Sequence, residues 1–272
     1  MKKHLFKEIK AKYRTPRDIS GNYSMGGKMI FSNLSIPIIA WLLPTKVTGN
    51  QVTVFWIFLG IVSCLLFCFG NYWISLLAAI LFFIHAVLDY VDGAIARARG
   101  SVSMEGVYLD RMGHDIIYPA SFFCIAVGTT RIYPTGWILT IGFLASLGYL
   151  IYHWARRAKI LTAIMLPHPY FFKWESAVMG KNHVLSKVSF LRRMYRKVRY
   201  LWDPQNYRLL MLIAAIAGKL NWLIFFYGIS YPIVAVAALI HQSRCGYDWV
   251  FESLAQMQSG KSTGLSSVEH EG

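Results

Sequence analysis

Residues 72–97 read YWISLLAAILFFIHAVLDYVDGAIAR, an apolar run long enough to cross a bilayer that ends in two carboxylates and an arginine. A hydrocarbon core of about 30 Å takes about 20 apolar residues in a helix, and no Asp, Glu, Lys or Arg precedes Asp89 in this run. Its closing residues are of another kind. Asp89 and Asp92 stand at i and i+3, on one face of a helix, where ionisable groups are expensive unless they are paired or line a wet cavity. The stretch therefore decides for helices in a membrane and marks a site at one helix end.

Working outward, windows of comparable apolarity separated by turn residues give six spans: Gln51–Phe69, Tyr72–Arg97, Met104–Gly128, Pro134–Arg156, Pro204–Gly218 and Asn221–His241. The fifth is short. Composition agrees, since 56% of the 272 residues are hydrophobic and only 15% charged, against about 25% charged in a soluble domain. Mean hydropathy is +0.42 although the formal net charge is +15, so charge and apolar residues must be segregated along the chain. Of the 28 Lys and Arg, only Arg131 and Lys219 fall in outer loops if the N-terminus is cytoplasmic. That asymmetry predicts an all-α integral membrane protein of six transmembrane helices, N-in and C-in, in the cytoplasmic membrane.

Interfacial amphipathic helices are expected to precede the spans. MKKHLFKEIKAKYR puts Leu5, Ile9 and Tyr13 at i, i+4 and i+8 with Lys on the flanks. Lys28–Leu43, interrupted by Pro37, reads as a second interfacial or re-entrant piece, with a seventh span as the alternative. The resulting divisions are a basic interfacial segment over 1–46, four spans over 47–156, a basic cytoplasmic insertion over 157–203, two spans over 204–245 and a polar, partly disordered tail over 246–272. The second half of the insertion, VLSKVSFLRRMYRKVRYLW, alternates apolar and basic residues. It suits a helix lying on anionic membrane lipids, or a pocket for an anionic ligand built with Arg193, Arg196 or Arg199. Nucleic acid is not the expected partner, because the basic residues flank apolar runs rather than interleave with aromatics on a polar surface. Four cysteines in or beside apolar runs, without CxxC spacing, argue against a disulfide framework or a zinc site.

The acids are few and gathered. Five of thirteen, Asp89, Asp92, Glu105, Asp110 and Asp115, fall within residues 89–115. An antiparallel pairing of the second and third spans brings Asp89, Asp92 and Asp110 together, an oxygen-rich set suited to Mg²⁺ or Mn²⁺. The spacing also admits a structural network with Arg97 and Arg99. Gly93 after Asp92, and Gly106 one turn before Asp110, leave two cleft positions without a side chain, and the Arg97 fork matches phosphate oxygens. Together these describe a diphosphate-bearing ligand.

The stretch DYVDGAIARARGSVSMEGVYLDRMGHD resembles the signature of the CDP-alcohol phosphotransferase family: Asp, two residues, Asp-Gly, two, Ala-Arg, eight, Gly, three, Asp, three, Asp. Asp89, Asp92, Gly93, Ala96, Arg97, Gly106 and Asp110 match in type and spacing, and VTGNQVT, with Asn50 and Thr53, resembles the family's entry into the first span. The resemblance covers residues 46 to 156. It implies a membrane transferase in phospholipid or glycan biosynthesis that moves a substituted phosphate from a CDP-linked alcohol to a lipid, soluble alcohol or sugar hydroxyl, with release of CMP. It further implies metal on Asp89, Asp92 and Asp110, diphosphate and nucleotide on Asp92, Gly93, Ala96, Arg97 and Gly106, an active site facing the cytoplasm, and a homodimer. Gly142 and Ser146 are small enough to allow close helix contact in such a dimer.

The fourth signature Asp is absent. His114 stands there, with Asp115 next. On a helix His114 lies about 40° from Asp110 and Asp115 about 140°, so His114 inherits the position as base or ligand, with Asp115 reaching in as the alternative. Arg156, Arg157, Arg193 and Arg196 are candidates for an anionic acceptor. A catalytically inactive scaffold of the same fold would tolerate the exchange to His114. A divalent-cation transporter would need polar groups along a complete path, and the spans beyond the acids offer almost none.

Overall fold

A computed structural model describes residues 27–165 and 199–244. Seven α-helices run through them: α1 Gly27–Leu42, α2 Gly49–Phe67, α3 Tyr72–Ala98, α4 Met104–Ile132, α5 Trp137–Met165, α6 Pro204–Ile216 and α7 Leu220–Arg244, with a 3₁₀ turn at Arg199–Trp202 before α6. Among the described residues there is no strand. The amphipathic N-terminal stretch with Leu5, Ile9 and Tyr13, the arginines Arg193 and Arg196, and the polar tail lie outside the described residues.

Local chemistry sets the helix starts. Thr48 accepts from Gln51 N at 3.3 Å and donates its own N–H to Gln51 Oε1 at 3.0 Å, a reciprocal cap that opens α2. Asn71 accepts from Trp73 N and Ile74 N at α3, Ser103 from Gly106 N at α4, and Asp203 from Gln205 N ahead of Pro204 at α6. Between α2 and α3 the chain reverses through Gly70 at φ +68°, a conformation that L side chains rarely adopt.

All six expected spans are helices, but four of them, α2, α3, α5 and α7, are both long and apolar enough to cross a membrane. α4 has the length, and it carries Glu105, Asp110, Arg111 and Asp115 in its first half. α6 has 13 residues, about 20 Å of helix against a core of about 30 Å. α5 continues past Arg156 to Met165, because no Gly or Pro interrupts the sequence before Pro167. The stretch expected to be interfacial or re-entrant forms α1, which packs on α3 with Phe31 fully buried between Phe83 and Tyr90.

α3 is the centre of the site-bearing half, contacted by α1, α2 and α6, while α5 joins α4 to α7. The core is aromatic: Trp56, Phe82, Tyr118, Phe122, Tyr207 and Tyr227 are fully buried. Tyr207 is satisfied by Ser121 Oγ at 2.7 Å, and Tyr227 donates to Leu201 O at 2.8 Å. Phe58, Leu65, Leu77, Phe143 and Ile233 face outward, an apolar outer surface suited to lipid. Gly142 and Ser146 are used inside the chain. A Cβ on Gly142 would lie 2.2 Å from Ala126 Cβ, and Ser146 Oγ donates to Pro119 O at 2.8 Å.

Candidate active site

Helical spacing puts Asp89 and Asp92 on α3, and Asp110 and His114 one turn apart on α4; the tertiary fold adds Arg208 from α6. His114 Nε2 lies 3.2 Å from Asp89 Oδ1 and 3.4 Å from Asp110 Oδ1. The other oxygen of Asp89 accepts from Arg208 Nη1 at 2.7 Å, and Arg208 Nη2 stands 3.5 Å from His114 Nδ1. Asp110 is the most open of the group, its side chain 40% exposed against 21% for His114 and 10% for Asp89.

Asp92 stands outside this group. Its Oδ2 accepts from Thr53 Oγ1 and from Trp56 Nε1, each at 2.7 Å, and its Oδ1 accepts from Gly93 N. Both oxygens therefore accept hydrogen bonds, Oδ2 from α2 and Oδ1 from the backbone of the next residue. Trp56 also stacks on His114, with ring centroids 5.1 Å apart, and its carbonyl meets the buried His85 Nδ1 at 3.0 Å.

The two glycines expected to leave open cleft positions are approached by side chains. A Cβ on Gly93 would lie 2.9 Å from Arg97 Nη1, and one on Gly106 would lie 2.4 Å from Asn50 Oδ1. The exposed Arg97 fork thus rests above Gly93 at the rim, and α2 closes on the start of α4 at Gly106. Ala96 faces Gly49, where a Cβ would come within 3.0 Å. Among the described residues Arg99 joins no carboxylate network. It donates to the carbonyls of Leu42 and Leu43, each at 3.2 Å, and to those of Thr45 and Val47. Asp115 turns away from His114 and pairs with Arg157 of α5, so both of these candidates are held by each other. Arg156 lies on α5 in the preceding position.

Arg208 is the site residue that sequence reasoning missed. It is 1% exposed and is held by Asp89, Gln205 Oε1 at 3.3 Å, Ala86 O at 3.5 Å and the face of Tyr118 at 5.2 Å. The signal was present, since Arg208 is the one charged residue between Asp203 and Lys219, and a charge within an apolar helix marks a paired or functional position.

Asp89, Asp110 and His114 each offer one ligand atom, and the three atoms lie within 4.8 Å of one another. Two carboxylate oxygens and an imidazole nitrogen are a donor set that fits a divalent cation, with remaining positions left for phosphate oxygens or water.

The family profile of the CDP-alcohol phosphatidyltransferases matches residues 46–217. The match runs beyond the 46–156 expected from the signature, through the basic segment and α6 with Arg208. Over 166 residues the chain is 26% identical to an archaetidylinositol phosphate synthase of Pyrococcus horikoshii, covering 57% of this chain and 86% of that protein. With its apolar helices and its gathered acids so matched, the chain belongs to the CDP-alcohol phosphatidyltransferase family, multi-pass membrane transferases that move a phosphoalcohol group from a CDP-alcohol to an acceptor hydroxyl.

Proposed function

We propose that this chain makes a phospholipid by joining a lipid-linked CDP donor to a polyol phosphate acceptor, at a divalent cation held by Asp89, Asp110 and His114. The single observation that carries the reading is the approach of these three ligand atoms, from α3 and α4. The acceptor class is supported by the name of the archaeal relative, archaetidylinositol phosphate synthase. It is supported as well by the basic stretch containing Arg193 and Arg196, and by Arg156 and Arg157 on α5. Arg157 is anchored by Asp115, the residue after His114.

In this reading α2 to α7 make the six crossings, with both termini and the catalytic mouth on the cytoplasmic side. The support is the scarcity of Lys and Arg in the outer loops. The basic insertion rests on anionic lipid, and the protein works as a homodimer.

A divalent cation, Mn²⁺ or Mg²⁺, supplies neutralisation of charge on the diphosphate and on the transferring phosphoryl oxygens. Arg97 grips the diphosphate of the donor by its exposed fork, aligning the bond to be broken. Asp92, fixed by Thr53 and Trp56, holds the turn of α3 that carries Gly93 and Arg97. His114 is a ligand here, since Nε2 faces two carboxylates and Nδ1 faces a guanidinium, leaving no nitrogen for an acceptor proton. That proton goes to the partly exposed carboxylate of Asp110 as the acceptor hydroxyl attacks the lipid-side phosphorus. The bond from that phosphorus to the bridging oxygen breaks, and CMP leaves.

The experiment is mass spectrometry of the products formed by the purified protein with Mn²⁺ or Mg²⁺, a panel of CDP-linked lipids, and acceptors with and without a phosphate. A new phospholipid with stoichiometric CMP, formed faster from a polyol phosphate than from the free polyol, is the expected result. No CMP from any donor would leave an inactive scaffold in its place.

A further inference from the structure

We infer that this site takes a single divalent cation, and that the guanidinium of Arg208 stands as a built-in positive charge where a second ion would need a ligand. The inference rests on the metal reading above and concerns how many ions this chain's residues can hold.

A carboxylate that bridges two cations through both of its oxygens offers one to each. Asp89 has one oxygen to offer, because Oδ1 faces His114 while Oδ2 is bonded by Arg208 Nη1 at 2.7 Å. Asp92 is turned to other partners, its Oδ2 taken by Thr53 and Trp56 and its Oδ1 met by Gly93 N. Asp110 and His114 complete one set of three ligand atoms with Asp89, and among the described residues there is no second set of three.

Charge leads to the same count. The signature has four carboxylates, whereas here two of them, Asp89 and Asp110, share their cluster with one imidazole and a guanidinium. Arg208 cannot swing aside to admit an ion. It is 1% exposed, anchored to Gln205 and Ala86, and packed on the Tyr118 ring. Arginine also stays protonated in any protein environment, so the charge is permanent and repels a second divalent cation at Asp89. With His114 at the fourth signature position and Arg208 on Asp89, the chain carries one carboxylate fewer than the signature and the cluster one fixed positive charge.

The test counts ions in the purified full-length protein. After stripping with chelator and titrating with Mn²⁺, bound ion is measured by elemental analysis against protein, and pairs of ions by manganese–manganese coupling in the electron paramagnetic resonance spectrum. Wild type is expected to saturate at one Mn²⁺ with no coupling. The double variant H114D/R208Q, which restores the fourth carboxylate and removes the guanidinium, is expected to take a second ion and to show coupling, while Arg208→Lys stays at one. Two bound ions in wild type would overturn the inference, whether or not any variant folds. So would a double variant that elutes and melts as wild type yet stays at one ion. Failure of the underlying metal reading looks different: wild type would bind no Mn²⁺ saturably, or Asp89→Ala and Asp110→Ala would bind it unimpaired.

Discussion

Trp56 donates its indole N–H to Asp92 Oδ2 at 2.7 Å, across 36 residues of sequence. The same ring lies on His114, so one side chain of α2 steadies a carboxylate of α3 and an imidazole of α4. Trp56→Phe keeps an aromatic ring for His114 and removes the donor to the buried Asp92. Losing a hydrogen bond to a buried charged group costs about 1–3 kcal/mol. The expected outcome is a lower unfolding temperature in detergent together with slower CMP release. Wild-type values for both would mean that Thr53 and Gly93 N suffice to hold Asp92.

This contact also shows where sequence reading stops. Apolar windows and turn residues located the helices, because length, hydropathy and caps are local properties. The approach of Asp89 to Asp110 and His114 was legible too, since i, i+3 and i, i+4 spacing on two helices joined by a short loop leaves few arrangements. The partners of Asp92 and the pairing of Arg208 with Asp89 were not, for they join residues 36 to 119 positions apart. Spacing placed Asp92 beside Asp89, but the donors that meet it from α2, Thr53 and Trp56, could not be read from the periodicity of α3.

Removing a metal ligand should separate the members of the acidic stretch by function. Asp89→Ala and Asp110→Ala are expected to lower metal-dependent CMP release by more than about 100-fold, beyond the about 10- to 100-fold typical of outer-shell partners. Asp115→Ala, which breaks only the contact with Arg157, is expected to reduce stability and keep most of the activity. An Asp115 variant as inactive as the other two would return Asp115 to the reaction.

His114 makes the choice of ion measurable. Nitrogen of an imidazole is a softer donor than carboxylate oxygen and favours Mn²⁺ over Mg²⁺, which prefers oxygen alone. Wild type is therefore expected to be saturated by less Mn²⁺ than Mg²⁺. His114→Asp should narrow the gap by raising the affinity for Mg²⁺. The ratio of the two half-saturating concentrations, from CMP release, is the measurement. An unchanged ratio in His114→Asp would mean that His114 does not touch the ion.

Arg99 and Arg97, two residues apart at the end of α3, should fail in different ways. Arg99 collects the carbonyls of Leu42, Leu43, Thr45 and Val47, which close α1 and lead into α2. A lysine cannot reproduce such a fork. Both Arg99→Ala and Arg99→Lys should therefore loosen the end of α1, read as faster amide exchange over residues 39–48 and a lower unfolding temperature, with Mn²⁺ binding intact. Arg97 is exposed and rests above Gly93, so Arg97→Ala should leave exchange and melting unchanged and raise the KM for the CDP-linked donor. If Arg97→Ala instead destabilised α1 while Arg99→Ala changed only the KM, the division between a fastening arginine and a substrate-gripping one would be reversed.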